Sequence, residues 1–211
     1  AVEKLVYDYF YSINDGNLLS FIEIISPYTI IENMEIFNNW QMDKGSQVKV
    51  KKINTFKNLH LVLVGSTFLN DNLPESRQLH QIIKQFDIKD SVVELGFVED
   101  DDLAIIYSHA YTTIVPSYYE GFGLPLLEAM ACGCPVVVSG NSSLIEIAGP
   151  SVLINPYDIE DITRGIVKVM ELTQDKYKKL SNACIQWSLK FSWKSVAAQT
   201  VKVYESVLDA A

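Results

Sequence analysis

Pro116-Ser117-Tyr118-Tyr119-Glu120-Gly121-Phe122-Gly123-Leu124-Pro125-Leu126-Leu127-Glu128-Ala129-Met130-Ala131-Cys132-Gly133-Cys134-Pro135-Val136-Val137-Val138-Ser139 is the stretch that decides how this chain of 211 residues is read. The apolar run Tyr111 to Val115 leads into it and has the character of a buried strand. A glycine-rich turn follows, then a helix opened by Pro125 and closed by Gly133, then a second strand from Pro135 to Val138. Proline at a helix start loses nothing by lacking an N–H, and glycine just past the end supplies a permissive φ. A strand–loop–helix–strand unit of this kind binds phosphate in parallel α/β proteins.

The chemistry of the unit follows from its residue types. Gly121 and Gly123 have no side chain, so a ligand can approach the backbone there and take hydrogen bonds from N–H groups. The first helical turn, from about Leu124, directs unbonded N–H groups and a positive dipole end at whatever lies over the loop, which suits a diphosphate. Leu124, Leu126, Leu127, Ala129, Met130 and Ala131 make the helix apolar on nearly every side, so it is expected to be buried. Glu128 is its one charge, and a buried carboxylate needs a partner or a ligand. Glu120 stands on the loop, and Glu128 lies roughly one turn (~5 Å) inside the helix. Two carboxylates at one helix mouth can hold sugar hydroxyls on either side of a diphosphate. The alternative makes Glu120 a solvated loop residue and pairs Glu128 with a lysine.

Outward from this unit the pattern is regular. Leu59 to Val64 reads as a strand ending at Gly65, Glu75 to Phe86 as a helix, and Val92 to Leu95 as a strand. Asp100 to His109 reads as a helix, Ser142 to Ile147 as a short helix, Val152 to Ile154 as a strand, and Ile159 to Leu172 as a helix. Asp175 to Ala211 reads as two helices separated by Phe191-Ser192-Trp193, with Ser192 suited to an N-cap. Alternation of strand and helix at this spacing predicts an α/β fold, a Rossmann-like parallel sheet with helices on both faces. Ligands of such sheets sit at the carboxyl ends of strands, where Gly65, Phe97, Val98 and Glu120 fall.

These residues resemble the E-x7-E signature of the retaining group 1 glycosyltransferases, enzymes of the GT-B fold that build glycans from nucleotide sugars. The resemblance extends through Gly96-Phe97-Val98, Leu103 to Tyr107, Ala110, Pro116-Ser117, Pro135-Val136 and Phe191-Ser192-Trp193, and covers Asn58 to Leu208. Glu-Gly-Phe-Gly-Leu-Pro followed by Leu-Glu-Ala-Met-Ala is far more specific than a lone glycine fingerprint. The resemblance implies that residues 56–211 are the second, nucleotide-sugar-binding half of a GT-B enzyme, with residues 1–55 an appendage of uncertain fold. It implies that Glu120 contacts the donor sugar and acts in catalysis. Gly121, Phe122, Gly123 and Leu124 would contact sugar and diphosphate, Glu128 the ribose, Gly65 the donor, and Phe97 and Val98 the base. For Phe97 and Val98, ordinary packing is an equal alternative.

The implied reaction is metal-independent transfer of a sugar with retained anomeric configuration. The donor is a nucleotide-diphosphate sugar, with no cofactor and no metal, and the acceptor is a glycan, a lipid or a small molecule. The competing class is a non-catalytic nucleotide-sugar-binding or interaction module that needs a partner domain for activity.

The chain also departs from the family pattern. The arginine and lysine that clamp the donor diphosphate are not at their expected place, since the only arginines are Arg77 and Arg164. Lys44, Lys49, Lys51, Lys52 and Lys57 are better read as a solvated charged face. Before residue 56, Val2 to Ile13 is compatible with a helix and Leu18 to Ile25 continues in similar style. Tyr28 to Phe37 is compatible with a strand and Asn38 to Ser46 with a turn. The family's last helix braces the first domain, so Trp193, Val196, Val203 and Tyr204 imply a partner subunit or self-association.

Composition excludes several classes. A net charge of −9 argues against nucleic-acid binding, which requires a basic face. No apolar run is long enough to span a bilayer, membrane contact is expected to be peripheral at most, and no signal peptide opens the chain. Three cysteines do not form a secreted disulfide framework, so the expected compartment is the cytoplasm. Cys132 and Cys134 have no second pair or nearby histidine and are expected to be packing residues. His60, His80 and His109 are too scattered to suggest ligation. Ser117 lacks a nucleophile-elbow pattern. The acidic run Glu99 to Asp102 is expected to complement the N-terminus of its own helix.

Overall fold

The computed structural model describes residues 28–31, 59–70 and 72–209. The expected helices at Val2 to Ile13 and Leu18 to Ile25, the turn at Asn38 to Ser46 and the lysines from Lys44 to Lys57 lie outside them. So do residues 32–37 of the expected Tyr28 to Phe37 strand.

Six strands form one sheet: β1 (Tyr28–Ile31), β2 (His60–Val64), β3 (Val92–Gly96), β4 (Thr112–Val115), β5 (Val136–Ser139) and β6 (Val152–Ile154). The helices are α1 (Pro74–Gln85), α2 (Asp100–His109), α3 (Leu124–Ala131), α4 (Leu144–Ile147), α5 (Ile159–Met170), α6 (Gln174–Ser188) and α7 (Trp193–Asp209). Across the sheet the order is β3-β2-β1-β4-β5-β6. Neighbours are parallel except at β1, which runs antiparallel to both β2 and β4. The parallel expectation holds for the five strands within residues 56–211, and the one antiparallel strand comes from the preceding segment, whose fold the sequence left open. An antiparallel strand satisfies the facing N–H and C=O groups of β2 and β4 with a different bond spacing, in the register Tyr28↔Leu63 and Tyr28↔Ile114.

Side-chain alternation sorts the strands into two cores. Leu63, Ile114, Val137 and Ile154 face Leu79, Ile82 and Ile83 of α1 and Ile162, Ile166 and Val169 of α5. Val115, Val136 and Val138 face the other way, onto Tyr107 of α2, Leu126 and Met130 of α3, Leu144 of α4 and Cys184 of α6. Successive residues of a strand point to opposite faces, so an unbroken run such as Val136-Val137-Val138 feeds both layers. Gly165 lets α5 approach the sheet closely, since a Cβ there would lie 2.5 Å from Ile154 Cγ2.

The ends of these helices have chemical causes. Gly133 at φ +75° ends α3 in a Schellman turn, with Cys134 N–H donating to Ala129 C=O and Gly133 N–H to Met130 C=O, both at 2.9 Å. Asp158 caps α5, its Oδ1 accepting from Glu160 N–H at 2.9 Å and Asp161 N–H at 3.2 Å. Asp158→Ala is expected to cost about 1 kcal/mol of unfolding free energy, read by urea denaturation. Ser192 caps α7 as expected, its Oγ accepting from Ser195 N–H. Asp100, Asp101 and Asp102 occupy the first turn of α2 without a side-chain cap bond, so their contribution there is through charge. No residue of α7 is buried, and Trp193 is 74% exposed. Among the described residues no helix is long and apolar enough to cross a membrane.

Candidate functional site

β2, β3 and β4 run in one direction, so the residues that follow them share one edge of the sheet. Gly65 follows β2, Phe97 and Val98 follow β3, and the Glu120 loop follows β4. Side chains from that loop and from the one after β5 shape the Glu120 segment. Ser117 Oγ donates to Glu120 Oε1 at 2.8 Å, fixing the carboxylate from one side. Ser142 Oγ accepts from Glu120 N–H at 3.2 Å, and Ser143 Oγ donates to Glu120 C=O at 2.7 Å. Asn141 Nδ2 donates to Tyr118 C=O at 2.8 Å. Sequence reasoning did not select Asn141, Ser142 or Ser143. The available signal was three small polar residues just past the carboxyl end of a buried strand.

The helix mouth carries the donor groups. The N–H groups of Phe122, Gly123 and Leu124 donate to no group among the described residues, and Pro125 has none. Phe122 and Leu124 are half-exposed, and a Cβ on Gly121 would meet nothing within 4 Å, so the loop surface is open to a ligand. Gly123 also has a packing role. It is buried at φ +103°, and a Cβ would stand 2.5 Å from Leu144 Cδ2. Its bare α-carbon lets α3 and α4 pack beneath the loop.

Glu128 departs from the expectation of burial. Leu126, Leu127, Ala129 and Met130 of α3 are buried, but Glu128 and Leu124 lie on the face left open at the sheet edge. Partial desolvation, followed by the neighbouring charge of Asp100, raises the Glu128 pKa; a hydrogen bond from the Tyr107 hydroxyl acts in the opposite direction. Tyr107 itself is buried, and burial followed by the Glu128 charge raises its pKa. No lysine pairing is needed to account for Glu128.

The sign of the raised Glu128 pKa fixes a pH dependence. The folded state binds its proton more tightly than the unfolded chain, so this contribution favours folding at low pH. It is lost as pH rises from the unfolded value near 4.5 through the higher folded value. Glu128→Gln is therefore expected to raise the urea midpoint slightly at pH 7, with the gain vanishing below about pH 4.

Other candidates divide. Phe97 is 74% exposed at the edge, whereas Val98 is partly buried against the small cluster of Val62 and Ile106. Gly65 N–H is occupied, donating to Gly96 C=O at 2.7 Å, so this amide is not free to donate to a ligand. Arg77 donates to Asn72 C=O, and Arg164 lies among Asp158, Glu160 and Asp161. Cys134 is buried, and neither Cys132 nor Cys134 forms a disulfide.

A family profile described as "Glycosyl transferases group 1" matches residues 46–187. The chain belongs to the group 1 glycosyltransferases. Similar proteins include the O-antigen chain mannosyltransferase B of Escherichia coli, 37% identical over 62% of this chain and 34% of that protein. Another is the MMP alpha-(1->4)-mannosyltransferase of Mycolicibacterium hassiacum, 33% identical over 75% of this chain and 38% of that protein. Among solved structures, sucrose-phosphate synthase from Thermosynechococcus elongatus matches with a TM-score of 0.63 and 29% identity, over 71% of this chain and 39% of that one. Anabaena HepE in complex with UDP matches with a TM-score of 0.59 and 26% identity, over 69% and 40%. The chain thus spans between 34% and 40% of the lengths of these relatives. The group 1 match and these neighbours agree with the Rossmann-like α/β architecture, that of the second half of a GT-B enzyme.

Proposed function

We propose that this chain is the donor-binding part of a retaining, metal-independent glycosyltransferase. Residues 56–211 form its domain, and residues 1–55 are an appendage that lends β1 to the sheet. What carries the reading is that Glu120 and Glu128 bracket in sequence the amides of Phe122, Gly123 and Leu124, which donate to no group among the described residues. The donor diphosphate lies on those amides, Glu120 receives the sugar hydroxyls, and Glu128 receives the ribose hydroxyls. Gly121 leaves room for the ligand and Phe97 offers a face to the base. Val98 supports that face from the core side, and Gly65 shapes the neighbouring turn. HepE was crystallised with UDP and with UDP-glucose, which supports a nucleotide sugar as donor.

As the anomeric bond breaks, negative charge gathers on the departing diphosphate and positive charge on the sugar ring. Oriented amides at the start of α3 stabilise the former without reorganising. The test is nucleotide release from UDP-, GDP- and ADP-hexoses, with proton NMR of the released or transferred sugar. Expected are retention of anomeric configuration and an unchanged rate in EDTA. Inversion or EDTA-sensitivity contradicts the reading.

A second reading, a binding module that requires a partner domain for turnover, is favoured by Arg77 and Arg164 being engaged away from the helix mouth. It predicts nucleotide binding without release. On either reading α7 exposes Trp193, Val203, Tyr204 and Leu208 and docks on a partner domain or a second copy. Gel filtration of the chain is expected to show mass increasing with concentration, and a monomer at all concentrations counts against self-association.

A further inference from the structure

Beyond the Glu120 loop, at the carboxyl ends of β5 and β6, the surface opens into a cleft of about 350 Å³. Asn141, Leu153, Asn155, Pro156 and Tyr157 line it. Its volume falls at the low end of small-molecule sites, about 300–1,000 Å³. The lining combines one aromatic face with amide groups. Tyr157 is 62% exposed and stacks on Tyr118 of the signature loop, with ring centroids 4.6 Å apart and planes at 28°. That stacking holds the Tyr157 ring in place.

The polar groups are arranged for hydroxyl recognition. Asn141 Oδ1 is buried and accepts no hydrogen bond from the described residues, although Nδ2 of the same side chain is committed to Tyr118 C=O. A buried acceptor without a donor is costly, so a ligand hydroxyl bonding there is favoured. Asn155 Oδ1 accepts from Tyr157 N–H, while its side-chain NH2 donates to no group among the described residues. Among the described residues no lysine or arginine lines the cleft, and Asp161 accepts from Asn155 N–H. An anionic ligand finds no cationic partner among them. A neutral ring with an apolar C–H face and hydroxyl edges matches every group present.

Position along the sheet edge separates this cleft from the donor site. Phe97 follows β3, the Glu120 loop follows β4, and the cleft lies past β5, on the far side of Glu120 from Phe97. Asn141 joins the two regions, since it lines the cleft while its neighbours Ser142 and Ser143 hold Glu120.

We propose that the cleft is a subsite for a neutral pyranose ring of the acceptor glycan, seated on Tyr157 and bonded through Asn141 and Asn155. This rests on the donor reading given above. The test is NMR titration of the full chain with α-mannobiose as probe, in the presence of whichever nucleoside diphosphate binds. Expected are shifts of the Tyr157 ring and Asn155 side-chain amide, and affinity weakened about fivefold or more in Tyr157→Ala. Asn155→Ala, at an exposed position, provides a second variant, and nucleoside diphosphate affinity is expected to stay within about twofold in both. Nucleotide binding with no probe-induced shift at Tyr157, or with undiminished probe affinity in both variants, overturns the subsite and leaves the donor reading intact. Absence of nucleotide binding overturns the donor reading and the subsite with it.

Discussion

Glu120→Ala is expected to remove most of the affinity that the sugar adds to the nucleotide, and to slow release from the nucleotide sugar by about 10²–10³-fold. The side chain stands at the loop between β4 and α3, with Ser117 Oγ bonded to its Oε1 at 2.8 Å. Its main chain is held independently, by Ser142 at the N–H and Ser143 at the C=O. Truncation of the side chain therefore leaves the loop backbone and the free amides of α3 in place. Hydrogen bonds to a charged group are worth about 1.5–3 kcal/mol each, so losing the carboxylate acts on the sugar and not on the diphosphate. Calorimetry comparing a nucleotide sugar with its nucleoside diphosphate measures the difference without requiring turnover. Equal losses for both ligands in the variant would place Glu120 in loop architecture instead.

Gly123→Ala is expected to have the largest effect on the fold, lowering unfolding free energy by about 2–4 kcal/mol. Two costs coincide there. An L-residue at φ +103° is strained, and the added methyl would meet Leu144 Cδ2 at 2.5 Å and Ile147 Cδ1 at 3.0 Å. Both partners are buried, and α4 is a single short turn pressed against β5, so neither can retreat into solvent. The helix start must shift, which misdirects the three amides as well. Chemical denaturation reads the first effect, and nucleotide affinity at a denaturant concentration where the variant remains folded reads the second. Gly121→Ala is the contrasting control, since its Cβ would enter open space. It is expected to leave stability within about 0.5 kcal/mol while hindering a ligand over the loop.

Much of the fold was legible because local signals agreed with tertiary packing. The Asp100 to His109 helix and the Val152 to Ile154 strand occur within the limits that their polarity patterns set. α3 begins and ends where proline and glycine placed it, because those residues act through their own φ and missing N–H groups. The reversed direction of β1 was not legible, since a short run of β-branched and aromatic residues carries no record of which way its neighbours run. Glu128 shows the same limit in a helix. The apolar residues of α3 marked it for burial, but which of its faces meets the open sheet edge depends on how α2 and α3 pack.

The candidate residues could be named from the sequence, but what supports them could not. The Glu120 loop follows β4 directly, and Glu128 is exposed on α3. Asn141, Ser142 and Ser143, more than twenty positions later in the chain, set the loop that carries Glu120. Side-chain hydrogen bonds between distant segments leave no periodicity for a sequence to display. Gly65 illustrates the converse: its position past a strand was read correctly, yet its N–H is satisfied by Gly96 C=O.

Titration calorimetry of the chain with UDP, GDP and ADP, each beside its monophosphate, measures the α3 diphosphate site most directly. At least one diphosphate is expected to bind about tenfold or more tightly than its monophosphate, with Glu128→Gln weakening both forms of that nucleotide alike through the ribose. Flat titrations for all three bases, or equal affinity for diphosphate and monophosphate, would contradict a diphosphate seated on the start of α3.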